Sequence, residues 1–357
     1  MEKQQIAFIP GDGIGVDVTA EAIKVLETLI QVWNLPVEHT TFDWGAEKYL
    51  REGISLPEGA LEMLRRDFRA IFVGALGDPR VPSNQHAADI LFGIRFGLDL
   101  YVNQRPVKLL DARLCPLKNR SEKDVDFVIF RENTEGLYAG MGGNFKRDTP
   151  DEVAVQEDVN TRKGVERIIV HVFEFAKKTG RKKVCMSDKA NALPFGHGLW
   201  QRAFADVRQR YPEIESRHLY VDTLAMEMVR DPSQFEVIVT CNMFGDILSD
   251  LGAQLQGGLG LAPSANIHPG HLSMFETVHG SAPSLAGRNV ANPMAAILTL
   301  GLMLEYLGLP QKSPIGIESA VTRAIREGVT TPDLGGSSTT QEVGDWICRE
   351  VARASRP

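Results

Sequence analysis

Ile6-Ala7-Phe8-Ile9-Pro10-Gly11-Asp12-Gly13-Ile14-Gly15 is a short apolar strand that breaks into a glycine loop, after which Val18, Ala22, Val25, Leu26 and Leu29 recur at helical spacing. A strand, loop and helix at the start of the chain predict an α/β body. The glycines fall as GxGxG. A dinucleotide-binding turn needs GxGxxG so that the backbone can approach a pyrophosphate, so the stretch excludes a Rossmann fold even though Asp43 stands where a distant ribose acid would.

Working outward, Ala70 to Val73, Val125 to Phe130, Val184 to Met186 and Val237 to Thr240 are further short apolar strands. Amphipathic helices lie between several of them, such as the one showing Val165, Ile168, Ile169 and Val172. That alternation predicts a largely parallel sheet. The run from Met294 to Leu307 is apolar on nearly every side, which suits a helix buried between layers or one at a subunit contact. No internal repeat, low-complexity segment or Pro/Ser-rich linker marks a domain boundary.

With 357 residues, 43% of them hydrophobic and 24% charged, the chain is long enough for one broad α/β body or two lobes. A net charge of −7 leaves no overall basic field, which argues against nucleic acid and anionic membranes as partners. Cys115, Cys185, Cys241 and Cys348 form no CxxC pair, so neither a zinc site nor a disulfide scaffold is expected, and free thiols in a reducing cytoplasm are. Met1-Glu2-Lys3 leads straight into the first strand with no secretory signature, and Met294 to Leu304 is too short to span a bilayer, so a cytoplasmic location is expected.

The groups able to do chemistry follow strands. Asp246 and Asp250, in Asn242-Met243-Phe244-Gly245-Asp246-Ile247-Leu248-Ser249-Asp250, come directly after Val237 to Thr240. A helix starting near Gly245 would put both carboxylates on one face at the carboxyl end of a strand, where two close negative charges and hard oxygen donors suit Mg²⁺ or Mn²⁺. An N-cap aspartate beside a solvated one is the plainer alternative. Arg95, Arg105 in Asn103-Gln104-Arg105-Pro106, and Arg131 at the end of its strand offer guanidinium forks to carboxylates, or are surface arginines. Tyr138 and Lys189 each follow a strand and have side chains that serve as acid or base when their surroundings tune them. Glu276-Thr277-Val278-His279-Gly280-Ser281-Ala282-Pro283 reads as a small-residue loop able to approach a nucleotide, or as an ordinary surface turn.

Taken in order, IPGDGIG, LDLYVNQRP, RENTEGLY, SDKAN, NMFGDILSDL, ETVHGSAP with ANP, and PDLGGSSTT resemble the β-decarboxylating dehydrogenases, the family of the 3-isopropylmalate, homoisocitrate, isocitrate, tartrate and D-malate enzymes. The likeness runs from about Ile6 to Val343. It implies a two-lobed fold that is not a Rossmann fold, with a large nucleotide-binding lobe from residues 1–102 and 255–357 and a small lobe, 103–254, carrying the dimer interface and the metal acids. It also implies a homodimer with shared active sites.

Carried onto this chain, the resemblance gives Arg95, Arg105 and Arg131 the carboxylates of a malate-like substrate, Asp246 and Asp250 the metal, and Asp222 a metal-ligand role toward the other subunit. Lys189, also donated across the dimer, would be the base and Tyr138 the acid. His279, Gly280, Ser281, Ala282 and Asn292 would bind adenosine, with Glu276 and Asn191 near the nicotinamide ribose. NAD-using relatives usually carry an acid after HGSAP, where this chain has Ser284; NAD is expected, with Arg288 keeping NADP open.

The implied reaction oxidises a 2-hydroxy acid at C2 and then releases the neighbouring carboxylate as CO₂, the cation acting as electron sink. Leu91 and Phe92, just before Arg95, would offer apolar surface to the γ-substituent, which fits an isopropyl group and gives a third carboxylate nothing. 3-Isopropylmalate is therefore the expected substrate. Tartrate or D-malate is the alternative, since YVNQRP, ENTEG and Tyr220-Val221-Asp222 also resemble those enzymes, and homoisocitrate follows on Lys189-Ala190-Asn191-Ala192-Leu193-Pro194. A catalytically silent regulatory subunit is the reading from another class.

Overall fold

The computed structural model of the chain describes residues 3–309 and 316–353. Two compact units divide it: residues 1–100, 109–122 and 253–357 form one, and residues 101–108 and 123–252 the other.

In the first unit, strands β1 (Gln4–Ile9), β2 (Val37–Thr41), β3 (Ala70–Val73), β11 (Pro263–Ile267) and β12 (Ser273–Thr277) lie side by side in the order β2-β1-β3-β12-β11. All neighbours are parallel except β11 with β12. Ile6 to Ile9 and Ala70 to Val73 are each 0% exposed, which explains their unbroken apolar runs: strands covered on both faces have no solvent side to mark with polar residues.

Helices α1 (Ile14–Trp33), α9 (Met294–Tyr306), α10 (Ile317–Arg326) and α11 (Thr340–Arg353) pack with one another, α1 against both α9 and α11. The remaining helices are α2 (Ala46–Glu52), α3 (Ala60–Asp67) and α4 (Gln85–Gly97); Ala60 and Leu64 of α3 and Ile90 and Ile94 of α4 join Ile9, Ile71 and Val73 in one core. The apolar α9 is a core helix of this unit, buried at Met294 to Ile297 and again at Thr299 to Gly301, Met303 and Leu304.

In the second unit, β4 (Val102–Lys108), β5 (Asp126–Glu132), β8 (Lys183–Asp188), β9 (Glu215–Tyr220) and β10 (Val237–Thr240) are ordered β4-β5-β10-β8-β9, parallel except for β4 with β5. Its helices are α5 (Arg162–Thr179), α6 (Gly196–Arg208), α7 (Val221–Arg230) and α8 (Asn242–Leu255). The sheet is thus mostly parallel with helical connections, an α/β architecture. A separate hairpin, β6 (Gly142–Phe145) with β7 (Val153–Gln156), has every residue exposed, including Phe145, Val153 and Val155.

All four cysteines are free thiols, with Cys185 and Cys241 buried and pushed up to about 11 and about 12 by desolvation. Among the described residues, no helix is long and apolar enough to cross a membrane.

Candidate active site

Helix α8 lies on the face of the antiparallel pair β4 and β5. Its residues Asn242, Asp246 and Ser249 recur at helical spacing and meet that pair in turn. Asn242 Oδ1 accepts from Arg131 Nε at 2.8 Å, Asp246 pairs with the other end of the same guanidinium, and Ser249 Oγ accepts from Arg105 Nη1 at 2.5 Å. The helix begins at Asn242, three residues before the start expected at Gly245. The glycine there is not a break. A Cβ on Gly245 would stand 2.5 Å from Arg131 Cβ and 3.2 Å from its Cα, so the missing side chain is what lets α8 reach the strand end. Gly245→Ala should push α8 off β5 and cost about 1–3 kcal/mol of stability. Thermal melting and kcat measured together should both fall.

Arg131 is not the last residue of its strand, since β5 continues to Glu132. The buried Glu132 carboxylate accepts from the backbone N–H of Thr134 at 3.0 Å and of Glu135 at 2.7 Å, which shapes the turn leading to Tyr138. Burial pushes the Glu132 carboxyl up.

The result is one cluster. Arg131 and Arg105 are 2% and 6% exposed, yet both face Asp246, Arg105 at 3.3 Å. Arg105 also approaches Asp250 at 3.8 Å. Tyr138 donates its hydroxyl to Asp246 Oδ2 at 2.9 Å, and its ring centroid lies 5.2 Å from the Arg131 guanidinium carbon. Partial burial and the charge of Asp246 push the phenol up, so the tyrosine holds its proton. Partial burial also pushes the Asp250 carboxyl up, and the Asp246 charge adds to this, as expected of two acids one helical turn apart.

Lys189 and Asp222 form a second cluster in the same unit. Lys189 Nζ donates to Asp222 Oδ2 at 2.7 Å, and this bond holds the Asp222 carboxyl below its ordinary range. Asp222 is the second residue of α7, where the helix dipole also favours a negative charge. Asn191 is exposed in the loop that carries Lys189.

The other expected residues sit in the first unit. Arg95 of α4 donates to Glu276 Oε1 at 2.7 Å, and Asn266 Nδ2 reaches the same oxygen at 2.8 Å. Glu276 belongs to strand β12 rather than to a loop: a buried polar residue inside a five-residue strand leaves no alternation to read. Arg95 Nε is buried with no hydrogen-bond partner among the described residues. Leu91 packs against the core of this unit, whereas Phe92 stacks on Phe96 at 5.7 Å and on the Arg95 guanidinium at 5.8 Å.

His279 is pushed down by desolvation and keeps Nε2 buried without a hydrogen-bond partner among the described residues, and Ser281 O accepts from Ile14 N at 2.8 Å. A Cβ on Gly13 would stand 2.1 Å from that oxygen, which is why the first glycine loop can lie against Gly280-Ser281-Ala282. Asn292 Nδ2 donates to Asp333 at 2.9 Å. Ser284 and Arg288 are exposed, with Arg288 Nη1 3.5 Å from the Ser284 carbonyl.

Hard carboxylate oxygens at i and i+4, with the Asp250 carboxyl pushed up by partial burial and further by the Asp246 charge, are a donor set that a divalent cation relieves. No group of three or more potential ligands occurs together among the described residues. Two acids are therefore what this chain brings to such a site, and they fit a cation whose remaining ligands come from elsewhere. Sequence reasoning missed Asn242 and Ser249, although their spacing to Asp246 on one helical face was there to be read.

The isocitrate/isopropylmalate dehydrogenase family profile matches residues 5–347. The chain is 43% identical over 350 residues to a 3-isopropylmalate dehydrogenase of Thermobifida fusca, covering 98% of each. It is 40% identical over 361 residues to the decarboxylating D-malate dehydrogenase of Escherichia coli, covering 99% of this chain and all of that one. The crystal structure of isocitrate dehydrogenase from Methylococcus capsulatus superposes with a TM-score of 0.85 at 37% identity, covering 98% of this chain and 99% of the other. A fold, a sequence match and a clustered set of arginines, tyrosine and acids agree, and the chain belongs to the isocitrate/isopropylmalate dehydrogenase family as a decarboxylating dehydrogenase.

Proposed function

We propose that this enzyme oxidises and decarboxylates a 2-hydroxy dicarboxylic acid with NAD and Mg²⁺ or Mn²⁺, and that 3-isopropylmalate, giving 2-oxoisocaproate for leucine biosynthesis, is its substrate. The observation that carries the reading is the cluster of Arg105, Arg131, Tyr138, Asp246 and Asp250 on α8 and the adjoining strand ends.

Arg105 and Arg131, with Arg95, grip the two carboxylates and hold the hydroxyl-bearing carbon in place. A divalent ion held by Asp246, Asp250 and Asp222 of the partner subunit would supply the positive charge that eases alcohol deprotonation and CO₂ loss. Bound NAD would accept the hydride from C2. Lys189 sits beside Asp222, so the base and the third metal acid come from one place on the surface. Tyr138, kept protonated, delivers a proton to carbon after CO₂ leaves.

The nucleotide is assigned to residues 1–102 and 255–357, with Glu276, His279 to Ala282, Ser284 and Asn292 as its contacts and Asn191 near the nicotinamide ribose. Residues 103–254 are assigned the metal acids and the contact between two copies. A homodimer is supported by the exposed apolar residues Phe145, Val153 and Val155 on the hairpin, Met226 and Val229 on α7, and Ile247 on α8 between the metal acids.

An isopropyl group suits the apolar surface of Leu91 and Phe92, the latter stacked on Phe96 and on the Arg95 guanidinium. D-Malate or tartrate is the second reading, favoured by the match to the D-malate enzyme along the whole chain, and homoisocitrate the third. Rates with each acid, NAD and Mn²⁺ decide among them. The expected order is 3-isopropylmalate first, with its isopropyl group worth about tenfold or more in kcat/KM over D-malate. A tenfold preference for D-malate or tartrate would overturn the substrate. NADP in place of NAD in the same assay tests Arg288, and chelator-sensitive NADH formation by this chain alone excludes a silent subunit.

A further inference from the structure

The loop from Lys189 to His197 is closed on itself by its backbone. The Lys189 carbonyl accepts from Ala192 N at 2.9 Å and Leu193 N at 2.8 Å, and the Leu193 carbonyl accepts from His197 N at 3.1 Å. The Lys189 N–H, in turn, donates to the Nδ1 atom of His197 at 2.8 Å.

An imidazole nitrogen that accepts a hydrogen bond carries no proton, so the ring proton of neutral His197 is on Nε2. That atom faces Asp158 Oδ2 at 3.6 Å, and His197 holds the Asp158 carboxyl below its ordinary range. The ring is 2% exposed and meets Phe244 edge to face at 5.2 Å, two residues before Asp246 on α8. One buried imidazole thus touches the backbone of the lysine, faces an acid across 3.6 Å and packs on the helix of the metal acids.

We infer that His197, buried against Phe244 with Asp158 facing its other nitrogen, is a positioning residue for Lys189. A lysine has a four-carbon stem and loses much rotamer freedom on being aimed, so a fixed backbone narrows where its ammonium can go. With both peptide groups of Lys189 tied and Nζ on Asp222, the stem is held at its two ends. The inference rests on Lys189 being the base of the proposed reaction.

The test uses the full chain carrying His197→Leu, His197→Asn or His197→Gln, with Lys189→Met measured in parallel. Asn places an amide atom where the ring has Nδ1, and Gln places one where it has Nε2. His197→Leu should lower kcat by about ten- to a hundredfold, the loss expected of a misplaced catalytic group, with KM for the hydroxy acid changed less than about threefold. His197→Asn should recover most of that loss and His197→Gln little of it. A purely structural role would lower the melting temperature of all three and leave kcat, read well below melting, intact.

If His197→Leu fails to fold, the Asn and Gln variants still decide between the two ring nitrogens. Wild-type kcat in His197→Leu, or equal losses in Asn and Gln, overturns the positioning role while a dead Lys189→Met leaves the base assignment standing. A fully active Lys189→Met removes the base assignment and this inference together.

Discussion

Asp246→Asn should abolish measurable turnover, lowering kcat by about a thousandfold or more, while the protein stays folded. The side chain meets three groups at once: Arg131 and Arg105 through Oδ1 and the Tyr138 hydroxyl through Oδ2. Asparagine keeps the shape and one acceptor oxygen, so α8 has no steric reason to move. What it removes is a charge beside a guanidinium that is 2% exposed. Because Asp246 itself is partly open to water, the stability loss should be that of leaving a buried donor less well satisfied, about 1–3 kcal/mol. The loss of a preorganised electrostatic element where charge develops accounts for about 10²–10³ of the rate, and weaker cation binding for the rest. Calorimetry with Mn²⁺ should show binding weakened at least tenfold, circular dichroism should be unchanged, and near-normal turnover would take Asp246 out of the mechanism.

Which parts of this were legible beforehand follows from burial and distance along the chain. Ile6 to Ile9, Ala70 to Val73 and Val237 to Thr240 read as strands because each is covered on both faces and so written in unbroken apolar residues. Strands β4 and β11 mix polar with apolar residues, and their antiparallel pairing could not be read, since nothing local in Val102–Lys108 or Pro263–Ile267 encodes a partner's direction. The hairpin of β6 and β7 is exposed along its length and leaves no hydrophobic period.

At the site, motif order identified the groups that α8 gathers. Gly245 was misread because glycine signals a helix end and a close approach with the same letter, and only the Arg131 contact tells them apart. The Arg95–Glu276 bond joins residues 181 positions apart, beyond any spacing rule. His197 carried no motif at all; its meaning lies in a bond to a backbone N–H.

Tyr138→Phe should separate the two halves of the reaction. The ring stays under Arg131, so the cation–π contact at 5.2 Å survives and only the hydroxyl bond to Asp246 is lost, a cost of about 0.5–1.5 kcal/mol at a half-buried site. In the proposed reaction the arginines hold the substrate carboxylates, so KM should change less than about threefold. The rate should nevertheless fall by about 10²–10⁴, the usual contribution of a positioned proton donor. Supplying a preformed β-keto acid such as oxaloacetate locates the step. If Tyr138 protonates carbon after CO₂ departs, the variant should be as impaired on the keto acid as on the hydroxy acid, with release of CO₂ outrunning formation of the protonated product. If the keto acid is handled at the wild-type rate, the tyrosine acts before decarboxylation, and the acid that finishes the reaction must be sought among other groups.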